Sequence, residues 1–463
     1  MFSRVWFWLC GLGKKQLKFQ KGPDRLSQLP DALLLEILSL LPTEDVVATM
    51  ILSKRWRFLW MMVPRLVYDD SYKKIERFLR FVDKSLVLHK APILETLHFK
   101  LGKRCRHEDI PKCIRASDKS SVREVIIEID SSSRPSPLIL PKSLYTECRM
   151  LVTLKLNNVI LVDFSSHVSF PALKSLVLVS VKYPGDEFLS SLLSSCHVLE
   201  DLVLKQCPDD NVITFTIRVP SLKSLVLHTS RHIYEDDDAH GCVLDAPSLE
   251  RLDIRDYDGE FCIIENNMLK IKEADIDVTY ILPGMILGRI TSAKRLDLCV
   301  FSSKIEYPVF YSLITLNICT CHTEWVDLLM SMLRVSPNLR DLELNLVHRY
   351  KHELFIFLDQ YIFYPNVIYL YQCHDLTDGP LACWSEPSLV PECLLSSLEN
   401  LEWEQYDGTE VEKEVAAFIL RNANCLKKAT ISSNSTDPNK KLEMIKVLSF
   451  SPRGSRTCQL LFD

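Results

Sequence analysis

The sequence predicts an α/β solenoid with a small all-helical unit at its N-terminal end. Three observations carry that reading. A hexapeptide, L-x-x-L-x-L, recurs along most of the 463 residues. Stretches of helical period lie between some of its copies, as a strand-and-return repeat requires. Residues 24–60, finally, hold more apolar side chains than three short helices can bury by themselves.

Composition narrows the class. With 47% apolar and 25% charged residues the chain can bury a sizeable core. No apolar run approaches the roughly 20 residues of a membrane span, so no membrane partner is expected. The opening VWFWLCGLG turns basic at Lys14, Lys15, Lys18 and Lys21 and lacks the apolar region and small-residue cleavage site of a signal peptide. Residues 1–22 are read as a flexible tail. The 16 cysteines include no C-x-x-C pair and read as reduced thiols of a cytoplasmic or nuclear protein. Residues 1–120 carry 23 Lys and Arg against 13 Asp and Glu, leaving 32 against 47 for the rest. The acidic body argues against a nucleic-acid partner.

In the stretch DRLSQLPDALLLEILSLLPTEDVVATMILSKRWRFLW, Pro30 opens a helix with Asp31 in its first turn. Leu33, Leu34, Leu35, Ile37, Leu38, Leu40 and Leu41 surround that helix, so it is expected to be covered on all sides. Pro42 stops it, Thr43 is the expected N-cap of a second helix, and Ser53 that of a third, on which Trp56 and Trp60 share a face. Either the rest of the chain or a partner must cover the surplus.

This stretch resembles an F-box of the plant type, through its LP-D opening, its LP break and its S-K-R-W-R-x-L-W ending. The resemblance implies docking on a Skp-type adapter of a cullin–RING ubiquitin ligase. Carried over by position, it implies adapter contacts at Leu29, Pro30, Leu34, Leu38, Leu41, Pro42, Leu52, Trp56 and Trp60. Glu44 and Met50 depart from the family pattern, which often has a basic and a small polar residue there.

The repeat begins at residues 94, 122, 151, 173, 199, 222, 249, 271, 293, 313, 339, 367, 398 and 426, in steps of 20 to 31. That period is the one of leucine-rich repeats, each unit giving one strand and one return segment. DEFLSSLLSSCHVLEDLVL and TEWVDLLMSMLRVSPNLRDLEL show return helices, with Asp186 and Thr323 as expected N-caps. Cys207 and Cys321 stand where Asn or Cys closes such a repeat, but few other units have one, so an irregular horseshoe is expected. Alternation points the leucines inward and the intervening residues to the concave sheet face. Lys205, His228, Arg251, Asp253, Arg255, Asp275, Asp297, Asn317 and Glu343 are the candidate contacts for a target protein on that face; Lys155, Asn157, Val203, Val226, Asp277 and Asn345 share it.

The C-terminal stretch from Pro391, with Cys393, Leu394, Leu398, Trp403, Tyr406, Gly408, Glu412, Ile419, Leu420 and Leu426, resembles the FBD segment of plant F-box proteins. So does its ending, through Pro452, Arg453, Ser455, Cys458 and Phe462. Two further strand–helix units with a helix near Val411 to Arg421 are expected to cap the solenoid. The expected division is a tail over 1–22, an F-box over 23–69, a leucine-rich-repeat solenoid over 70–385 and an FBD segment over 386–463.

No P-loop, GxGxxG, HExxH or GxSxG occurs. CTCH, with Cys319, Cys321 and His322, has no second ligand pair nearby in sequence, and HIYEDDDAH reads as a solvated insertion. No metal, cofactor or catalytic residue is therefore assigned. The family resemblance implies a non-catalytic substrate receptor of an SCF-type ligase. A ligase-independent scaffold and a small-molecule receptor using the same concave face remain open.

Overall fold

The computed structural model describes residues 26, 28–70, 75–102, 122–130, 138–140, 148–161, 170–206, 211–229, 240–256, 259–279, 283–300, 307–346 and 384–462. Its N-terminal unit holds α1 (Asp31–Ser39), α2 (Thr43–Ala48) and α3 (Trp56–Leu59), with single 3₁₀ turns after the last two. Pro30 and Pro42, not a hydroxyl side chain, occupy the two N-cap positions. Arg55 rather than Ser53 precedes α3. Thr43 is therefore the first residue of its helix, and its hydroxyl is free to bond elsewhere.

The chain then enters the sheet directly. Strand β1 (Arg65–Asp69) leads, by way of α4 (Ile75–Leu88), to β2 (Leu94–Leu101) and β3 (Val122–Ile129). A two-stranded ribbon of β4 (Leu138–Ile139) and β6 (Val159–Ile160) flanks β5 (Thr153–Asn157), and β7 (Ser175–Val179) precedes α5 (Asp186–Ser194). After β8 (Asp201–Lys205) the chain alternates between two sheets. The short strands β9 (Thr214–Arg218), β11 (Gly241–Asp245) and β13 (Phe261–Ile264) make a three-stranded return sheet. Alternating with them, one after each, run β10 (Ser224–Thr229), β12 (Arg251–Asp256) and β14 (Glu273–Val278). Then come α6 (Pro283–Leu287), β15 (Arg295–Val300), β16 (Thr315–Cys319), α7 (Trp325–Val335) and β17 (Asp341–Asn345). The C-terminal part adds α8 (Glu392–Ser396), β18 (Asn400–Trp403), α9 (Glu410–Asn422), β19 (Lys428–Ile431), α10 (Pro438–Phe450) and β20 (Gln459–Phe462).

Among the described residues, all the strands outside the ribbon and the return sheet join one 15-stranded parallel sheet that follows chain order. The register repeats the sequence register: Leu154 lies beside Leu176, Leu176 beside Leu202, and Leu225 beside Leu252. These leucines are almost fully buried and belong to one continuous core that runs from Leu66 to Cys458. Each buried leucine contributes about 1.5–3 kcal/mol. Since no unit closes its own core, stability accumulates along the stack.

The repeat at Val367 lies outside the described residues; in the sheet β18 pairs directly with β17, with Asp341 beside Asn400. Several other expectations are corrected. Strands β1 and β20, at the two ends of the sheet, lack the L-x-x-L-x-L signature altogether. Gly185 and Glu324, not Asp186 and Thr323, take the N-cap positions of α5 and α7; the Asp186 carboxylate accepts from the Ile213 N–H at 3.2 Å instead. At the C-terminal end Thr409 and Glu412 form a reciprocal capping box on α9. Gly408, at φ 69°, supplies the left-handed turn before it. Three strands rather than two follow in this segment. Cys207 and the insertion from His232 lie outside the described residues, apart from His240 at its end.

Candidate functional site

Two surfaces hold the residues singled out in the sequence. The first is on the N-terminal unit. Leu34, Leu38, Trp56 and Trp60 are buried there, with Val46, Leu59 and Val63, in a core separate from that of the solenoid. These are four of the nine residues expected at the adapter contact. The i, i+4 pairs Leu34/Leu38 and Trp56/Trp60 turn inward together and hold the unit together. Leu29 and Leu41 are half-buried against that core, whereas Pro30, Pro42 and Leu52 are exposed.

The surplus leucines are on the other side. Leu33, Ile37, Leu40, Ile51 and Phe58 are exposed, Leu40 at 76% and Ile51 at 81% of their full surface. Helix α1 is thus covered along one stripe only. Arg55 fixes the approach to it, donating to the Leu29 carbonyl at 2.6 Å and pairing with Asp31. An apolar cluster of this kind on a small helical unit marks an interaction surface.

The second surface is the sheet face turned away from the return segments. Strand register lines up Val226, Asp253, Asp275, Asp297, Asn317, Glu343 and Glu402 in one row. His228, Arg255 and Asp277 follow in the next. The face is less solvated than alternation alone implies: Asp253, Arg255, Asp275, Asp277, Asp297 and Asn317 are buried. Parallel neighbours about 4.8 Å apart cover one another's side chains.

Burial of so many charges requires pairing, and the structure supplies it. Asp253 Oδ1 accepts from His228 Nε2 at 3.0 Å and from Arg255 Nε at 3.3 Å. Arg255 Nη2 also lies 3.5 Å from Asp275 Oδ2. Burial lowers the His228 pKa, opposed by the Asp253 carboxylate. Lys205, beside His228 in register, is pushed down to about 8 by burial, again opposed by Asp253. Further along, Arg295 grips Asp297 through Nε at 3.1 Å and Nη2 at 3.0 Å, and reaches Glu343 Oε2 at 3.3 Å. Asn345 donates to Asn317 Oδ1 at 2.9 Å. Arg251 is exposed at the start of β12.

The candidates therefore fall into two clusters, one around Asp253 and one around Asp297. Arg295 is a functional candidate that the alternation rule missed. It sits two residues before Asp297 on the same face, in the register row of Arg251 and Glu273, and its reach across to β17 reveals its role. Convergent hydrogen-bonding groups on a half-buried strip suit recognition of a polar protein segment.

Comparison with known proteins now decides the family. The F-box domain profile matches residues 26–68, the FBD profile residues 386–431, and the profile of the leucine-rich repeats of the FBD-associated F-box protein At5g56370 matches residues 110–275. The relative named Probable FBD-associated F-box protein At1g32375, of Arabidopsis thaliana, is 57% identical over 95% of this chain and 100% of its own length.

This chain belongs to the FBD-associated F-box proteins.

A second Arabidopsis member, F-box/FBD/LRR-repeat protein At5g56420, is 46% identical over 95% of this chain and 99% of its own. A solved leucine-rich-repeat structure, that of a TLR13–ssRNA13 complex, overlaps 83% of this chain and 52% of that one at 17% identity and TM-score 0.39, too distant a likeness to argue from. In this F-box protein the separate core of Leu34, Leu38, Trp56 and Trp60 is the F-box, and the paired charges lie on the face of its leucine-rich repeats. Among the described residues no helix is long and apolar enough to cross a membrane.

Proposed function

We propose that this F-box protein is the substrate-receptor subunit of an SCF-type cullin–RING ubiquitin ligase. The supporting observation is the exposed apolar face of Leu33, Ile37, Leu40, Ile51, Leu52 and Phe58 on a unit that otherwise has its own closed core. A Skp-type adapter is the partner that F-box membership points to. Pro30, Pro42 and Leu52 from the sequence-derived set belong to this docking surface.

The repeat face, with its clusters around Asp253 and Asp297, holds a target protein. The mechanism is proximity. Tethering the target raises the effective concentration of its lysines at the ubiquitin-loaded enzyme, and no bond is made or broken by this chain. Its compartment is the cytoplasm or nucleus, where adapter and cullin work.

The test is affinity purification of the tagged full chain from plant cells with the proteasome inhibited, followed by mass spectrometry. Adapter, cullin and one or more ubiquitinated proteins are expected together. Recovery of a binding protein without adapter and cullin would contradict the reading and favour a ligase-independent scaffold.

A further inference from the structure

We propose that Cys299, Cys319, Cys321 and His322 form a structural zinc site that pins two neighbouring repeats together at the C-terminal ends of their strands.

The sulfur atoms of Cys299, Cys319 and Cys321 all lie within 4.8 Å of one another. Cys299 Sγ stands 3.5 Å from Cys321 Sγ and 3.7 Å from His322 Nε2. In a tetrahedral site with Zn–S of about 2.3 Å, neighbouring ligand atoms are separated by about 3.8 Å. Both observed spacings fall just short of that value. Three mutually close thiols, with the His322 imidazole beside Cys299, are also a donor set that selects zinc over hard cations such as magnesium or calcium.

The reason for the convergence is the repeat itself. Cys299 and Cys319 each fall six residues after the start of their repeat, at 293 and 313. Strands β15 and β16 pair in register up to Leu298 and Ile318, so these two cysteines continue the pairing side by side. Beyond β16 the chain turns back, held by the Thr320 N–H to the Asn345 carbonyl at 2.7 Å and by the Trp325 N–H to the His322 carbonyl at 3.2 Å. That turn brings Cys321 and His322 against Cys299. The CTCH stretch read as lacking a second ligand pair, but its missing partner comes from 20 residues upstream, one repeat away.

Burial fits a structural role. Cys299, Cys319 and His322 are buried and Cys321 is half-buried, so solvent has little access to a metal's coordination sphere. Cys319 Sγ is 3.4 Å from the Leu346 carbonyl, to which the thiol donates. On zinc binding this proton and those of the other two thiols leave, so uptake releases protons and weakens as pH falls. Zinc here would join β15, β16 and the turn into α7 across an irregular part of the stack, just before the interval from 347 to 383 that separates β17 from the C-terminal segment.

The full chain, produced with zinc and purified under reducing conditions without chelators, tests this by elemental analysis. About one zinc per chain is expected. Cys299→Ser and Cys321→Ser are expected to lose it, while Cys196→Ser, elsewhere in the core, keeps it. Cobalt exchanged into the wild-type chain provides a readout independent of any variant's folding. Thiolate-to-cobalt charge-transfer absorption together with a tetrahedral visible spectrum is expected, and His322→Gln should alter the visible spectrum while retaining the charge-transfer band. Substoichiometric zinc with no thiolate–cobalt band would overturn the proposal. A Cys299–Cys321 disulfide in freshly purified protein, found by mass spectrometry, would overturn it equally.

Discussion

The backbone N–H of Val67, in the first strand of the sheet, donates to the hydroxyl of Thr43, in the second helix of the F-box, at 2.7 Å. Thr43 is buried, and the bond crosses from one core to the other. It has company: the Met61 carbonyl accepts from the N–H groups of Lys90 and Ala91, and His89 Nε2 lies 2.8 Å from the Val63 carbonyl. The F-box is thereby bolted to the sheet edge. Thr43→Val removes the acceptor of a half-buried N–H, so it is expected to cost about 1 kcal/mol. Chemical denaturation measures the loss, and hydrogen exchange should show faster exchange at Val67.

Arg255 lies among carboxylates. With its side chain 6% exposed it holds Asp253 and Asp275 together, and Asp277 is its neighbour in register. Arg255→Met keeps the volume but leaves buried carboxylates uncompensated, for an expected cost of about 3–5 kcal/mol. Adding Asp253→Asn and Asp275→Asn should recover part of that loss. Denaturation of the single and triple variants checks it; equal stability of wild type and Arg255→Met would show that the charges are solvated after all.

Lys205 should be the lysine that titrates early. Its ammonium is pushed down to about 8 by burial, against about 10.4 in an unfolded chain. Between those values the unfolded state binds more protons, so this residue makes stability rise with pH across that window and carries its full cost below it. Reductive methylation with a carbon-13 label, read by NMR, should reveal one lysine signal with a midpoint near 8 that vanishes in Lys205→Arg. A chain in which every lysine signal titrates with the bulk would refute the burial of this group.

The sheet was largely legible because its evidence is local. Leu176 and Leu178, or Leu252 and Ile254, alternate within five residues and recur at a near-constant interval, and the structure pairs them in that register. Strands β1 and β20 escaped because an end strand has a neighbour on one side only and needs fewer leucines. Helix α1 shows a different limit. A helix without a polar face carries no signal of which leucines turn inward. Leu34 and Leu38 faced the tryptophans, and Leu33, Ile37 and Leu40 did not. The burial of Asp253 and Asp275 was equally hidden, since it arises from neighbours 20 to 27 residues away.

Adapter affinity of two surface variants tests the docking face most directly. Leu40→Asp combined with Ile51→Asp alters side chains that contribute nothing to the F-box core, so the unfolding midpoint should stay within about 0.5 kcal/mol of wild type. Leu38→Ala, by contrast, empties that core and should cost about 2–5 kcal/mol. With purified Skp-type adapter and calorimetry or surface plasmon resonance, the double Asp variant is expected to lose binding while remaining folded. Undiminished binding by that folded double variant would contradict the assignment of Leu33, Ile37, Leu40, Ile51, Leu52 and Phe58 as the docking face.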